Sequence, residues 1–283
     1  MPTTEPYPAP TPRAMRDLGP RLISGVLLAG VAIGLTWLDV WSFSLLVLAV
    51  ALIVAWEWGR VVRDGGIDTL FVIHALFVVA AVVLTYLGMP ALALIAVLVG
   101  AILAVLLGFD ENGRLSALGV IYAGLPAIAL IWLRSSRVLG MEVALFLLLV
   151  VWATDTGAYI AGRSIGGPRL MPAISPNKTW SGLAGGVLAS LVVAILFAAS
   201  ANGLDGWRLA VTAVVLAVVS QAGDLMESAL KRRHRVKDAS GLIPGHGGFM
   251  DRVDGLIFAA VFAALLAALI NVHAPGSAIL RWQ

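Results

Sequence analysis

Between Ser228 and Asp254 the chain reads SALKRRHRVKDASGLIPGHGGFMDRVD, a stretch holding six of the nineteen lysines and arginines in a sequence built mostly of aliphatic residues. A charge near the middle of a bilayer costs roughly 2.5–3.5 kcal/mol on insertion scales, so the stretch must be a polar loop with its flanking helix ends. Asp251 and Asp254 are three residues apart and share one face of a helix that starts there. Just upstream, Gln221, Asp224, Ser228 and Lys231 follow one another at intervals of three or four and share a face of the preceding helix. Asp224, Asp251 and Asp254 can therefore converge. Such a trio suits Mg²⁺, which takes one or two carboxylates together with water and substrate phosphate oxygens. The surrounding lysines and arginines would face phosphate charge, with Gly247 and Gly248 letting the backbone approach it. The competing reading of the same acids is that they only pair with Lys231, Arg232 or Arg252. The chain has no cysteine, which excludes disulfides and thiolate ligands and leaves carboxylate, imidazole or backbone oxygen for any metal.

These residues need a scaffold, and composition says which kind. Hydrophobic residues make up 60% of the 283, charged residues 12%, and the mean hydropathy is +0.97. Those values define an all-α, polytopic integral membrane protein. Apolar runs long enough to cross ~30 Å of hydrocarbon place spans at 21–38, 40–57, 69–88, 90–108, 117–134, 141–160, 182–200, 207–229 and 253–271, about nine in all. Residues 1–20 form a polar, proline-rich lead-in, 21–135 an N-terminal set of transmembrane helices, and 136–283 a C-terminal transmembrane catalytic region. With the N-terminus cytosolic, fifteen of the nineteen basic residues fall on the cytosolic side and four opposite, a positive-inside bias. Two long connections, 162–181 and 231–252, share the cytosolic side and are rich in glycine, proline and basic residues. Asp155, near the cytosolic end of the sixth span, joins Asp224 as an intramembrane acid expected to face a cavity or a partner. The tryptophans mostly sit near span ends and read as interface anchors, Trp180 being the exception. His74, His234 and His273 read as spectators.

The 228–254 stretch resembles the signature of the phosphatidate cytidylyltransferases (CDP-diacylglycerol synthases), whose pattern runs Ser-x2-Lys-Arg-x4-Lys-Asp, then Pro, His-Gly-Gly and Asp-Arg-x-Asp. Ser228, Lys231, Arg232, Lys237, Asp238, Pro244, His246, Gly247, Gly248, Asp251, Arg252 and Asp254 fall in register. QAGDLMES (221–228), TDTGAYIAGRSIGG (154–167) and SPNKTW (175–180) are similar to the other recurrent segments of that family, so the resemblance covers about residues 150–260. One departure is Ser181, where many members carry Glu.

The resemblance implies the reaction of CTP with phosphatidic acid to give CDP-diacylglycerol and pyrophosphate, in a bacterial inner membrane. It implies Mg²⁺ held by Asp224, Asp251 and Asp254, a second, monovalent cation such as K⁺, and a homodimer; membrane lipids are partners and nucleic acid is not. Among the implied substrate contacts, Ser175, Asn177, Lys178 and Thr179 meet nucleotide phosphates. Lys231, Arg232, Lys237 and Arg252 divide between the triphosphate and the lipid headgroup, with Ser228, Asp238, His246, Gly247 and Gly248 completing the loop. Two other classes stay open at the level of residues alone. A CTP-using lipid kinase would leave the nucleotide off the lipid. A secondary transporter also buries carboxylates in glycine-interrupted helices, although its polar residues gather at the midplane rather than at one face.

Overall fold

A computed structural model describes residues 18–63, 65–108, 111–200, 203–242 and 247–283. Among them are ten helices: α1 Leu18–Leu38, α2 Val40–Arg63, α3 Thr69–Tyr86, α4 Pro90–Gly108, α5 Glu111–Arg134, α6 Gly140–Ser164, α7 Trp180–Ser200, α8 Gly206–Arg233, α9 Met250–Asn271 and the short α10 Pro275–Arg281. Eight of these, α2 to α9, are long and apolar enough to cross a membrane, and α1 adds the shorter apolar segment Gly25–Leu38. Every expected span is therefore a helix. The chain departs from a purely helical plan at one place, the antiparallel hairpin of β1 Arg169–Met171 and β2 Ser175–Thr179 between α6 and α7.

Local chemistry sets the breaks between the rods. Asp39 accepts a hydrogen bond from the Ser42 backbone N–H at 2.7 Å and Asp68 from Phe71 at 2.7 Å, each satisfying an orphan donor at a helix start. Arg63 reaches across the α2–α3 turn to Asp68 at 3.1 Å, and that ion pair with the backbone bond from Phe71 outweighs burial and lowers the Asp68 pKa. Pro90 opens α4, where its missing N–H leaves no bond unmade. Gly88, at φ +80°, supplies the left-handed turn that ends α3.

Between helices in lipid, apolar residues gain little from meeting one another, so close backbone approach through small residues does the packing. The α6/α7 pair is built this way. A methyl group added at Gly157 would lie 2.6 Å from both Ala189 Cβ and Gly185 O, and one at Gly186 would lie 2.8 Å from Thr154 O. This tight pair fixes the hairpin at its end. A second cluster joins the two sides of the chain, with Phe43, Val54 and Trp58 of α2 and Ala123 of α5 packed with Met250 and Ile257 of α9.

Candidate active site

Four chain segments deliver side chains to one cavity of about 1040 Å³: the second half of α6, the β2 strand, the last turns of α8, and the first turns of α9. The α8 helix runs to Arg233, a turn beyond the expected span, so Lys231 belongs to the rod rather than to a loose loop. β2 is held by its pairing with β1, and Thr179 at its end caps α7 by accepting from the Gly182 N–H at 3.0 Å. Ser181, the position of departure, donates to Gly166 O at 2.5 Å and lies 2.9 Å from Thr179 Oγ1, so it closes the turn between α6 and β1 onto the start of α7.

The acids and lysines meet as two pairs. Lys178 Nζ lies 2.6 Å from Asp224 Oδ2, bridging β2 to α8. Lys231 Nζ pairs with Asp251 Oδ1 and lies 3.2 Å from Glu227 Oε1, bridging α8 to α9. Asp251 Oδ2 also accepts from the Gly248 N–H at 2.8 Å and the Ala239 N–H at 3.1 Å. Asp254 is buried and accepts from the Gly255 N–H at 2.7 Å. Ser228 Oγ, one turn along α8, donates to Asp224 Oδ1 at 3.4 Å. Asp224, Asp251 and Asp254 all line the cavity. Among the described residues, however, no group of three or more His, Asp or Glu could hold a metal ion alone. The Lys231–Asp251 pair is the more buried of the two, with side chains 13% and 9% exposed, and removing one partner of such a pair costs about 3–5 kcal/mol because the other charge is stranded.

Of the residues singled out by sequence, Ser175, Asn177, Lys178, Thr179, Asp224, Lys231, Asp251, Arg252 and Asp254 line this one space, as does Asp155. Arg232, Lys237 and Asp238 are exposed and lie outside its lining. Gly247, at φ +82°, and Gly248 form the turn into α9, where a methyl group on Gly248 would lie 2.9 Å from Ala239 Cβ and 3.0 Å from Asp251 Oδ2. Pro244 and His246 fall outside the described residues.

Sequence reasoning passed over three groups. Glu227, within the QAGDLMES segment, is fully buried beside Lys231. Tyr122 of α5 lines the cavity with its ring 4.8 Å from that of Trp58, and its hydroxyl has no hydrogen-bond partner among the described residues. Glu57 of α2 is fully buried and accepts from Phe249 N–H at 2.8 Å, Met250 N–H at 2.5 Å and the Ser240 hydroxyl. The available signal for Glu57 was a single acid in WEWGR at the end of an otherwise apolar span.

Away from the lysines the lining turns apolar. Leu28 and Ala32 of α1, Val47 and Ala51 of α2, and Ala127 and Leu130 of α5 form a wall continuous with the charged end. A space with a charged floor and an apolar wall, set among eight helices long and apolar enough to cross a membrane, defines the class as a polytopic α-helical membrane protein. Comparison with known proteins gives the family. Residues 20–270 match the model described as the Cytidylyltransferase family. The chain is 39% identical to the phosphatidate cytidylyltransferases of Brucella suis and Brucella melitensis over 268 residues, which cover 94% of this chain and 98% of each relative. The Bacillus subtilis protein of the same name is 40% identical over 164 residues, 58% of this chain and 61% of that relative. The chain belongs to the cytidylyltransferase family.

Proposed function

We infer that the chain transfers CMP from CTP to phosphatidic acid, giving CDP-diacylglycerol and pyrophosphate. One observation carries this reading: a single cavity joins an apolar wall suited to acyl chains to a floor where two lysines stand beside carboxylates. The same arrangement disfavours a transporter, since the polar groups gather where β2 and the ends of α6, α8 and α9 meet.

In the transfer, an ionised oxygen of the phosphatidate phosphate attacks the α-phosphorus of CTP in line. The bond between that phosphorus and the oxygen bridging to the β-phosphate breaks, and pyrophosphate leaves with the electron pair. No side chain has to take a proton, because the attacking oxygen is already ionised. Lys178 and Lys231 place fixed positive charge where the phosphates gather, and Arg252 adds a third cation at the wall. Charge held in place before the reaction lowers the barrier without reorganisation.

The donor set fits Mg²⁺ held jointly with substrate, since the cavity offers hard carboxylate oxygens and no sulfur. Asp224 and Asp254 would hold it, with Asp251 joining when Lys231 turns toward phosphate. Bound there, the ion would neutralise charge on the phosphoryl oxygens and the leaving pyrophosphate. The positive-inside pattern supports a bacterial inner membrane with the site facing the cytosol. A homodimer belongs to the same reading.

The test is incubation of purified protein with Mg²⁺, phosphatidate and CTP labelled in its α-phosphate. Label recovered in the lipid is the expected result. Label remaining with nucleotide, while γ-labelled CTP marks the lipid, would make the protein a kinase.

A further inference from the structure

We propose that Glu57 is a positioning residue for this transfer: its carboxylate ties α2 to the start of α9 and to Ser240 in the loop before it, and so holds Asp251 and Arg252 at the cavity wall. The proposal rests on the transferase reading above. Glu57 is 0% exposed, and it is not part of the cavity lining, so it acts through other residues. Burying a carboxylate is costly unless its oxygens are hydrogen-bonded, and among the described residues its three donors come from residues 240–250. Two of them, the N–H groups of Phe249 and Met250, belong to the orphan donors at the start of α9, where the helix dipole favours a negative charge. The third, Ser240, lies near the middle of the loop that joins α8 to α9.

Asp251 grips the same two stretches from the opposite direction, through the N–H groups of Ala239 and Gly248. Residues 239–240 and 248–250 are thus each held twice, once by an acid of α9 that lines the cavity and once by an acid of α2 that does not. The methyl that Gly248 lacks would have lain 2.9 Å from Glu57 Oε1, so the loop also packs directly on this carboxylate. An apolar side chain of the same size could fill the space, but only a carboxylate can accept from three donors at once. The N-terminal helices thereby set the position of the charged floor.

The experiment compares wild type, E57Q, E57D, S240A and E57Q/S240A as purified full chains. It measures kcat and KM for CTP, melting temperature, and the rate of trypsin cutting after Lys237. E57Q is expected to lower kcat by about 100-fold, the scale of a small misplacement of reacting groups, with KM for CTP changed little. Its melting temperature should stay within a few degrees, about the cost of one or two hydrogen bonds, while cutting after Lys237 quickens. E57D keeps the charge and recovers part of the loss. S240A alone is expected to cost about tenfold, and the double variant to be no worse than E57Q, because both changes break the same tether.

Turnover of E57Q within about threefold of wild type, about 0.6 kcal/mol on the barrier, would overturn the proposal. So would multiplication of the E57Q and S240A effects in the double variant. If E57Q does not fold, S240A decides: normal turnover overturns the proposal, and reduced turnover at an unchanged melting temperature supports it. A wild type that leaves phosphatidate unlabelled overturns the transferase reading and takes the positioning claim with it. A working wild type with an unaffected E57Q overturns the positioning claim alone.

Discussion

The cavity has two walls of different make, one from α6 to α9 and one from α1, α2 and α5. The first presents Asp155, Lys178, Asp224, Lys231, Asp251 and Asp254, most of them tied to one another or to backbone N–H groups. The second presents apolar side chains, Phe43 among them, and a single tyrosine, while the buried acid Glu57 of α2 turns away to the loop before α9. Charges in a low-dielectric interior must be fixed in place to be useful, and fixing them requires partners at defined distances. An apolar wall meeting a flexible chain needs only shape and area. The charged wall should therefore tolerate almost no change, while the apolar wall should tolerate change of the kind that keeps its volume.

The largest effect should come from Asp251→Asn. It removes the partner of Lys231 while keeping the side-chain size, and turnover is expected to fall by about 10³-fold or more, the scale of losing a preorganised charge at a phosphoryl centre. Labelling of phosphatidate by CTP measures it, and near-normal turnover would remove Asp251 from the machinery. Next comes Gly248→Ala, whose added methyl must displace Ala239, Glu57 or Asp251. A loss of about 10²-fold is expected, with little change in expression.

On the apolar wall, Ala32→Phe should leave KM for CTP unchanged and raise KM for long-chain phosphatidate about tenfold, the scale of a few methylenes in a pocket. Shorter acyl chains should suffer less, and equal losses for both substrates would break the division of labour between the walls. A smaller effect is expected from Tyr122→Phe, which keeps the ring against Trp58 and removes a hydroxyl without a partner. Melting temperature should hold or rise, since an unpaired buried polar group costs about 1–3 kcal/mol. The smallest belongs to Gly34→Ala on α1, where nothing lies within 4 Å of the added methyl. Activity and melting temperature should both stay near wild type.

Much of this was legible before any coordinates. The positions of the helices followed from run length and hydropathy, because a backbone in lipid has to satisfy its own hydrogen bonds. That Lys178, Asp224, Lys231, Asp251 and Asp254 gather around one space followed from helical spacing together with the family pattern. The hairpin that carries Lys178 was not legible, since RLM and SPNKT are too short and too polar to announce strands. Pairing of an acid with Lys231 stood among the readings of the sequence, and Asp251 takes it, whereas the pairing of Asp224 with Lys178 did not.

What residue order determined by itself was local: which segments cross the membrane, where each helix begins, and which side chains share a face. Those depend on contacts within a few residues and on transfer from water to hydrocarbon. What only tertiary structure decided was partnership across distance. Glu57 meets Met250 from 193 positions away, Lys178 meets Asp224 across a hairpin, and Tyr122 is left without a partner. A buried charge takes whichever donor the packing of rods brings within about 3 Å, and no spacing along one helix encodes that.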